Sequence, residues 1–146
     1  MAQTLQPVEI LGCGSYVPEK VMTNQDLLAF MDTSDEWIVE RTGIRQRHIA
    51  QDDQALSDLA IPAAKQAIAH AGISASEIDL VIVGTSTPDM LMPATAALVQ
   101  HAVGAHRAAV FDMEAACTGF VQAFIVAQQF LMTGMYRTAL VIGGDL

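Results

Sequence analysis

The sequence is poor in cysteine and in basic residues. Its two cysteines, Cys13 and Cys117, lie far apart and fit no metal-ligand spacing, so both are expected to be free thiols in a reducing compartment. Seven Lys and Arg residues face sixteen Asp and Glu residues, for a net charge of −9. This balance argues against a nucleic-acid partner, because phosphates require a basic surface.

Long apolar runs are also absent, although 52% of the 146 residues are hydrophobic and only 16% are charged. No run reaches the roughly 18 residues of a membrane span. The N-terminus has no basic region followed by an apolar one, so no signal peptide is expected, and a cytoplasmic location is the default. We therefore expect the excess apolar surface to be covered by something other than lipid.

Strand patterns alternate with helical patterns along the chain, which predicts an α/β fold with a mostly parallel sheet covered by helices on both faces. The clearest helix repeats small and apolar residues at helical spacing and ends at Gly72. Ser34 and Gly43 are placed to begin and end an earlier helix. Strands are predicted at residues 8–17, 44–50, 80–85, 108–112 and 139–143, and further helices at 93–101 and 118–132.

The last apolar run, residues 139–143, is expected to be a central strand. The chain stops three residues later, so the sequence is interpreted as a cut domain. An exposed sheet edge and an apolar face near residues 140–146 are expected to need a cover.

Cys117 lies where a short strand pattern changes to a helical one. A thiol at the beginning of a helix faces backbone N–H groups without intrahelical partners, at the positive end of the helix dipole, which favours a nucleophile. The alternative is a buried structural cysteine, because free cysteine is among the most buried residue types. The four histidines, at positions 48, 70, 101 and 106, lie in no motif that identifies a partner for the thiol.

Trp37 and Arg41 are four positions apart and therefore share one helical face. An indole beside a guanidinium offers a stacking plane for a nucleobase and a fork for phosphate. Core packing is the alternative for the single tryptophan. Arg45 and Arg47 nearby favour an anionic ligand.

Four segments together resemble the ketoacyl-ACP synthase III family. Residues 32–49 (DTSDEWIVERTGIRQRHI) are similar to its signature segment, and residues 10–18 (ILGCGSYVP) to its opening strand. Residues 111–120 (FDMEAACTGF) resemble its active-site cysteine motif, and residues 140–145 the strand beyond it. The resemblance spans essentially the whole chain, but only the N-terminal half of a family member.

The resemblance implies a thiolase fold, with residues 1–146 as its N-terminal domain and the C-terminal half absent. It implies a homodimer that condenses an acyl-CoA primer with malonyl-ACP, without a cofactor or metal and with acyl carrier protein as partner. Cys117 would be the nucleophile, and its own N–H an oxyanion donor. Thr33, Trp37 and Arg41 would bind CoA, with Arg45 and Arg47 on a positive rim.

Two positions depart from the family pattern, and one of them bears on specificity. Met92 stands where many members have Phe, in a loop that would reach the partner's acyl pocket, so the primer is left open. Cys13 replaces a commoner Thr and is interpreted as a packing residue.

The family's catalytic His and Asn have no counterpart here, so the isolated chain is predicted to be inactive. A related condensing enzyme of polyketide or quinolone-type pathways, and a non-catalytic fragment or subunit of a split enzyme, are the alternatives.

Overall fold

A computed structural model describes residues 5–146, so residues 1–4 of the N-terminus discussed above lie outside the described part. The chain forms β1 (Lys20–Thr23), α1 (Asn24–Leu27), α2 (Asp35–Thr42), β2 (Gln46–Ile49), α3 (Leu56–Ala71), β3 (Leu80–Gly84), α4 (Thr95–Val103), β4 (Ala109–Met113), α5 (Gly119–Met132) and β5 (Ala139–Gly143). These elements fall into two compact units. The small unit is Val17–Gln54, and the large unit is the segment up to Tyr16 together with Ala55–Leu146.

The large unit is built on a parallel three-stranded sheet in the order β4, β3, β5. Every residue of β3 is buried, which explains its continuous apolar sequence, because a strand between two neighbours and two helical layers has no face in water. Val81 and Val83 pack with α3 and α4, whereas Leu80 and Ile82 pack with α5. The predicted α/β fold with helices on both faces of a parallel sheet is confirmed.

Two carboxylates cap helices of the large unit from a distance. Asp112 on β4 accepts hydrogen bonds from the Thr95 and Ala96 amides at 2.7 Å each, at the beginning of α4. Asp89 accepts from the Ser57 amide at 3.0 Å, in the first turn of α3. These bonds satisfy amides that have no partner within their own helix. They attach α4 to the strand β4 and α3 to the loop that follows β3.

Residues 8–17 do not form the predicted strand. The segment lies instead on α3, with its backbone in close approach: a Cβ on Gly12 would be 2.5 Å from the Ala71 amide nitrogen, and one on Gly14 would be 2.3 Å from the Ala63 carbonyl oxygen. A strand requires the hydrogen-bond ladder of a neighbouring strand. This segment has a helix beside it, and that is why its apolar pattern does not become a strand.

The strand β5 is an edge strand among the described residues, so the expectation that residues 139–143 form a central strand is wrong. The central position belongs to β3, whose apolar run has the same length and similar composition. The expected apolar face near residues 140–146 is only partly present, because Leu140 and Ile142 are buried and Leu146 is exposed. An apolar run alone does not distinguish a central strand from an edge strand with one covered face.

Excess apolar surface, predicted from composition, is present on α5. Phe120, Val121, Phe124 and Ile125 are 39–54% exposed, and their spacing places them on one side of the helix. Of the helices in residues 5–146, none combines the length and the apolar character needed to cross a membrane.

The small unit pairs β1 with β2 in antiparallel register, from Lys20 opposite Ile49 to Thr23 opposite Gln46. Thr23 also caps α1 and forms a capping box with Asp26. Hydrogen bonds from the Thr23 hydroxyl and amide hold the pKa of Asp26 below its ordinary value. These bonds attach the first turn of α1 directly to the end of β1.

The helix α2 begins and ends as the sequence predicts. The Ser34 hydroxyl accepts from the Trp37 amide at 3.1 Å, and Gly43 ends the helix with a left-handed φ of 73°. Only Ile38 of this helix is buried, so α2 has little apolar anchoring of its own.

Candidate active site

Cys117 lies in a single 3₁₀ turn, Ala116–Thr118, between the end of β4 and the beginning of α5. Ala116, immediately before it, has a φ of 44°, a left-handed conformation that is unfavourable for a residue with a Cβ. A strained residue in a turn between strand and helix is a known way to present a nucleophile. The predicted position of Cys117 at a strand-to-helix junction is confirmed.

The hydrogen bonds of this turn leave the Cys117 amide unused. The Thr118 amide donates to the Ala115 carbonyl at 3.1 Å, and the Gly119 amide donates to the Ala116 carbonyl. The Cys117 N–H takes part in neither bond and, within residues 5–146, in no other backbone hydrogen bond of a turn or cap, so it is available to an incoming oxyanion. The Cys117 side chain is exposed, which rules against the alternative of a buried structural cysteine.

Three glycines bring the first turn of α5 against the sheet. A Cβ on Gly84 would be 2.6 Å from the carbonyl carbon and oxygen of Gly119, and one on Gly143 would be 2.6 Å from the Phe120 Cβ. No side chain fits at either strand position without a shift of the helix. The close contact therefore fixes where α5 begins, and with it the turn that carries Cys117.

Asp145 joins the carboxyl ends of β3 and β5 and was not singled out from the sequence. Its Oδ1 accepts from the Ser86 amide at 2.6 Å and from the Thr85 hydroxyl at 3.2 Å. The Leu146 amide donates to the Thr87 hydroxyl at 2.9 Å. Its position directly after an apolar run is the sequence feature that could indicate a role at the site, because functional polar side chains are common where parallel strands end.

Trp37 and Arg41 lie on one face of α2, as predicted. The Arg41 Cζ atom is 4.9 Å from the centroid of the Trp37 ring, which is a cation–π contact. Trp37 is 53% exposed, so the alternative that the indole packs in the core is wrong for this chain. Thr33, before the Ser34 cap, is half-buried, and the three candidate CoA residues belong to the small unit.

Arg47 does not stand free on a positive rim. Its guanidinium donates a short hydrogen bond to the Oδ1 of Asn24, a side chain that is only 1% exposed. Arg45 is exposed. The sequence gives no indication of this role for Asn24, because its partners lie 11 to 23 positions away and no local pattern connects them.

Met92 lies in an exposed apolar loop of the large unit. Its side chain is 85% exposed, and the neighbouring Leu91 and Met90 are 99% and 48% exposed. The loop precedes α4, whose beginning is held by Asp112. Met92 is thus displayed at the surface of the chain, and its role in an acyl pocket stays a prediction.

No histidine of the described residues 5–146 is a hydrogen-bond partner of the Cys117 thiol. His48 Nδ1 instead lies 2.6 Å from the Pro18 carbonyl, and His70 Nδ1 lies 3.7 Å from the Cys13 Sγ. Cys13 is exposed, so its interpretation as a packing residue is wrong. In the same range no cluster of three or more His, Cys, Asp or Glu side chains could hold a metal ion.

Comparison with known proteins gives one consistent result. Residues 111–146 match the family described as 3-oxoacyl-[acyl-carrier-protein] synthase III. The chain is 57% identical over 142 residues to the beta-ketoacyl-[acyl-carrier-protein] synthase III of Symbiobacterium thermophilum, covering 97% of this chain and 43% of the relative. The corresponding protein of Rhodospirillum centenum is 55% identical over 136 residues, covering 93% of this chain and 42% of the relative.

Solved structures agree with these sequence matches. The 3-oxoacyl-[acyl-carrier-protein] synthase III of Aquifex aeolicus superposes with a TM-score of 0.90 at 44% identity, covering 94% of this chain and 44% of that one. The priming beta-ketosynthase of the R1128 polyketide pathway superposes with a TM-score of 0.93 at 35% identity, covering 99% and 43%. The chain therefore spans less than half the length of the proteins it matches.

Proposed function

The chain belongs to the beta-ketoacyl-ACP synthase III family of the thiolase superfamily, with a thiolase-like α/β fold, and we propose that it forms the N-terminal half of a condensing enzyme. In this proposal residues 1–146 are one N-terminal thiolase-fold domain, and the remainder of the active site lies in a C-terminal half. The complete enzyme condenses an acyl-CoA primer, acetyl-CoA or another short acyl-CoA, with malonyl-ACP to initiate fatty acid synthesis. The observation that carries the proposal is the exposed Cys117 on the strained turn before α5.

The first step is acyl transfer to Cys117. The Cys117 thiolate attacks the thioester carbonyl of the acyl-CoA, a new carbon–sulfur bond forms, and CoA leaves as its thiolate. During the attack the carbonyl oxygen gains negative charge, which a preorganised backbone N–H stabilises. We propose the Cys117 amide for that role, and the turn supports this because neither of its two hydrogen bonds uses this amide.

The second step needs groups that this chain does not supply. Malonyl-ACP loses CO₂, and the resulting carbanion attacks the carbonyl of the acyl-cysteine, which breaks the thioester and leaves a ketoacyl-ACP. The family resemblance assigns assistance in the decarboxylation to a His and an Asn of the C-terminal half. We therefore propose that the isolated chain is inactive.

Binding of CoA is proposed for the exposed Trp37–Arg41 pair. The indole has a face for the adenine ring, and the guanidinium carries donors for phosphate oxygens. Thr33, beside the Ser34 cap, is a further nucleotide contact by resemblance. Met92, in its exposed loop, is proposed to line the acyl pocket of a dimer partner and to influence which primer is accepted.

The same geometry also suits two other roles. A condensing enzyme of a polyketide or quinolone-type pathway is favoured by the high TM-score to the R1128 priming ketosynthase. A non-catalytic fragment, or one subunit of a split enzyme, is the other alternative. For the leading proposal we expect a homodimer in the cytoplasm that uses acyl-CoA and acyl carrier protein as partners and needs no cofactor.

A condensation assay tests the proposed function. The assay uses a joined enzyme, in which this chain is followed by the part of the Symbiobacterium thermophilum relative that this chain does not cover. Incubated with acetyl-CoA and malonyl-ACP carrying a labelled free carboxylate, the joined enzyme is expected to release labelled CO₂ and form a ketoacyl-ACP, whereas the 146-residue chain alone releases none. Release of labelled CO₂ by the chain alone would contradict the proposal that the isolated chain is inactive. If the joined enzyme released no labelled CO₂, the proposed synthase activity would be contradicted.

Replacing both Trp37 and Arg41 by alanine is expected to weaken CoA binding to the joined enzyme by about 1 to 3 kcal/mol, because a stacking contact and a charge-assisted contact are lost. Titration calorimetry with CoA measures the change. Arg107→Ala, which removes an exposed arginine of the large unit, is the matched control and should leave the affinity unchanged. Equal affinities for the double variant and the parent would remove the pair from the site.

A further inference from the structure

Asn24 is the one fully buried polar side chain that the structure describes in the small unit. Its Nδ2 donates to the Asp35 Oδ1 at 2.7 Å and to the Ile44 carbonyl at 2.8 Å. Its Oδ1 accepts from the Arg47 guanidinium. Because an amide nitrogen has only two protons to donate, its donor capacity is fully used, and the side chain is held from three directions.

The three partners of Asn24 surround α2. Asp35 is the first residue of that helix, Ile44 follows the glycine that ends it, and Arg47 lies on β2. A single side chain thus connects both ends of α2 to the antiparallel strand pair. Trp37 and Arg41, the exposed cation–π pair, lie between those two ends.

Little else holds α2 in place. Ile38 is its one buried residue, and both members of the pair point to the surface. Isolated helices of eight residues are unstable in water, so the position of such a helix depends on its tertiary contacts. The Asn24 hydrogen bonds are the polar part of those contacts, and they fix the helix at the two points where it could otherwise shift.

Only an amide satisfies these partners. An aspartate at position 24 would still accept from Arg47, but it would place a carboxylate against the Asp35 carboxylate and the Ile44 carbonyl. An apolar residue would leave the buried partners without their hydrogen bonds. The polarity of the side chain at position 24 therefore matters more than its volume.

We infer that Asn24 is a positioning residue for CoA recognition: it holds α2 so that the Trp37 ring and the Arg41 guanidinium keep their mutual geometry. Asn24 is buried and acts through the helix, without touching the nucleotide. The inference rests on the proposed function for its ligand, but the geometry of the pair can be tested without CoA.

The test compares Asn24→Asp with the double variant Asn24→Asp/Asp35→Asn. We expect the joined enzyme carrying Asn24→Asp to bind CoA about tenfold more weakly, because buried donors are lost and two carboxylates face each other. In the double variant residue 35 becomes the donor between the two side chains, and only the hydrogen bond to the Ile44 carbonyl stays lost, so affinity should return to within about threefold of the parent. Asp35→Asn alone is the matched control, since Asn24 can donate to its amide oxygen, and it should bind like the parent within about threefold.

A second readout needs no ligand. Trp37 is the single tryptophan of the 146-residue chain, so its time-resolved fluorescence anisotropy reports its local motion. Asn24→Asp should increase that motion, and the double variant should reverse the increase, while far-UV circular dichroism stays unchanged. If Asn24→Asp does not fold, Asn24→Ser, which keeps only one donor and one acceptor, is compared directly with the parent in both the affinity and the anisotropy measurement.

The outcomes separate the two claims. Parent-like affinity and anisotropy in Asn24→Asp, or a double variant no better than the single one, would overturn the positioning role. Failure of the unaltered joined enzyme to bind CoA would overturn the proposed function; the anisotropy comparison would still decide whether Asn24 orders the Trp37–Arg41 pair.

Discussion

Replacing Cys117 by serine is expected to abolish formation of an acyl-enzyme from labelled acetyl-CoA, with a loss of about three orders of magnitude or more. A hydroxyl of similar shape keeps the turn intact but is a far weaker nucleophile than a thiol. The loss is thus chemical, and the folding of the variant should match the parent. Denaturing gel electrophoresis after incubation of the joined enzyme with labelled acetyl-CoA measures it.

Cys13 provides the internal control for this experiment. It is the only other cysteine of the chain, and it is also exposed, yet it lies next to α3 with His70 as its neighbour. Cys13→Ser should therefore label like the parent. Retained label in Cys117→Ser together with lost label in Cys13→Ser would identify Cys13 as the nucleophile and contradict the prediction. Absence of label from both variants would indicate a folding defect.

Replacing Gly84 by alanine is expected to lower the free energy of unfolding by about 3 kcal/mol or more. The added methyl group would lie 2.6 Å from the backbone carbon and oxygen of Gly119. Backbone atoms cannot move aside as the end of a side chain can, so either the central strand or the first turn of α5 must shift. Because that turn leads directly from Cys117, acyl-enzyme formation should fall as well.

Urea unfolding of the 146-residue chain, followed by far-UV circular dichroism, measures the stability change. Gly144→Ala is the matched control: its methyl group would approach only the Leu56 Cδ1, at 2.9 Å, and a rotation of that side chain relieves the contact. We expect a cost of about 1 kcal/mol or less for the control. Equal unfolding midpoints for Gly84→Ala and the parent would mean that the helix does not need to lie so close to the sheet.

Much of the fold follows from local signals in the sequence. Ser34 and Gly43 begin and end α2 as their capping preferences predict, and the apolar run of β3 becomes the buried central strand. Cys117 lies at the predicted junction because strand and helix patterns change there. In each case the physical cause acts within a few residues along the chain.

The sequence does not predict features that depend on distant partners. Residues 8–17 have a strand pattern, but the structure places a helix beside them. The burial of Asn24 between Asp35 and Arg47 arises only once α2 and β2 are in place. Alanine at position 116 carries no signal for a left-handed turn, because that conformation is imposed by the surrounding structure rather than preferred by the residue.

The backbone of Ala116 has a consequence for selection in the laboratory. A left-handed alanine costs of the order of 1 kcal/mol relative to glycine, so a library screened for thermal resistance alone should enrich Gly at this position. A screen for catalytic turnover should instead retain Ala at this position, because the more flexible Gly would hold the neighbouring nucleophile less firmly. Opposite enrichment in the two screens would identify position 116 as a point where evolution has traded robustness for reactivity.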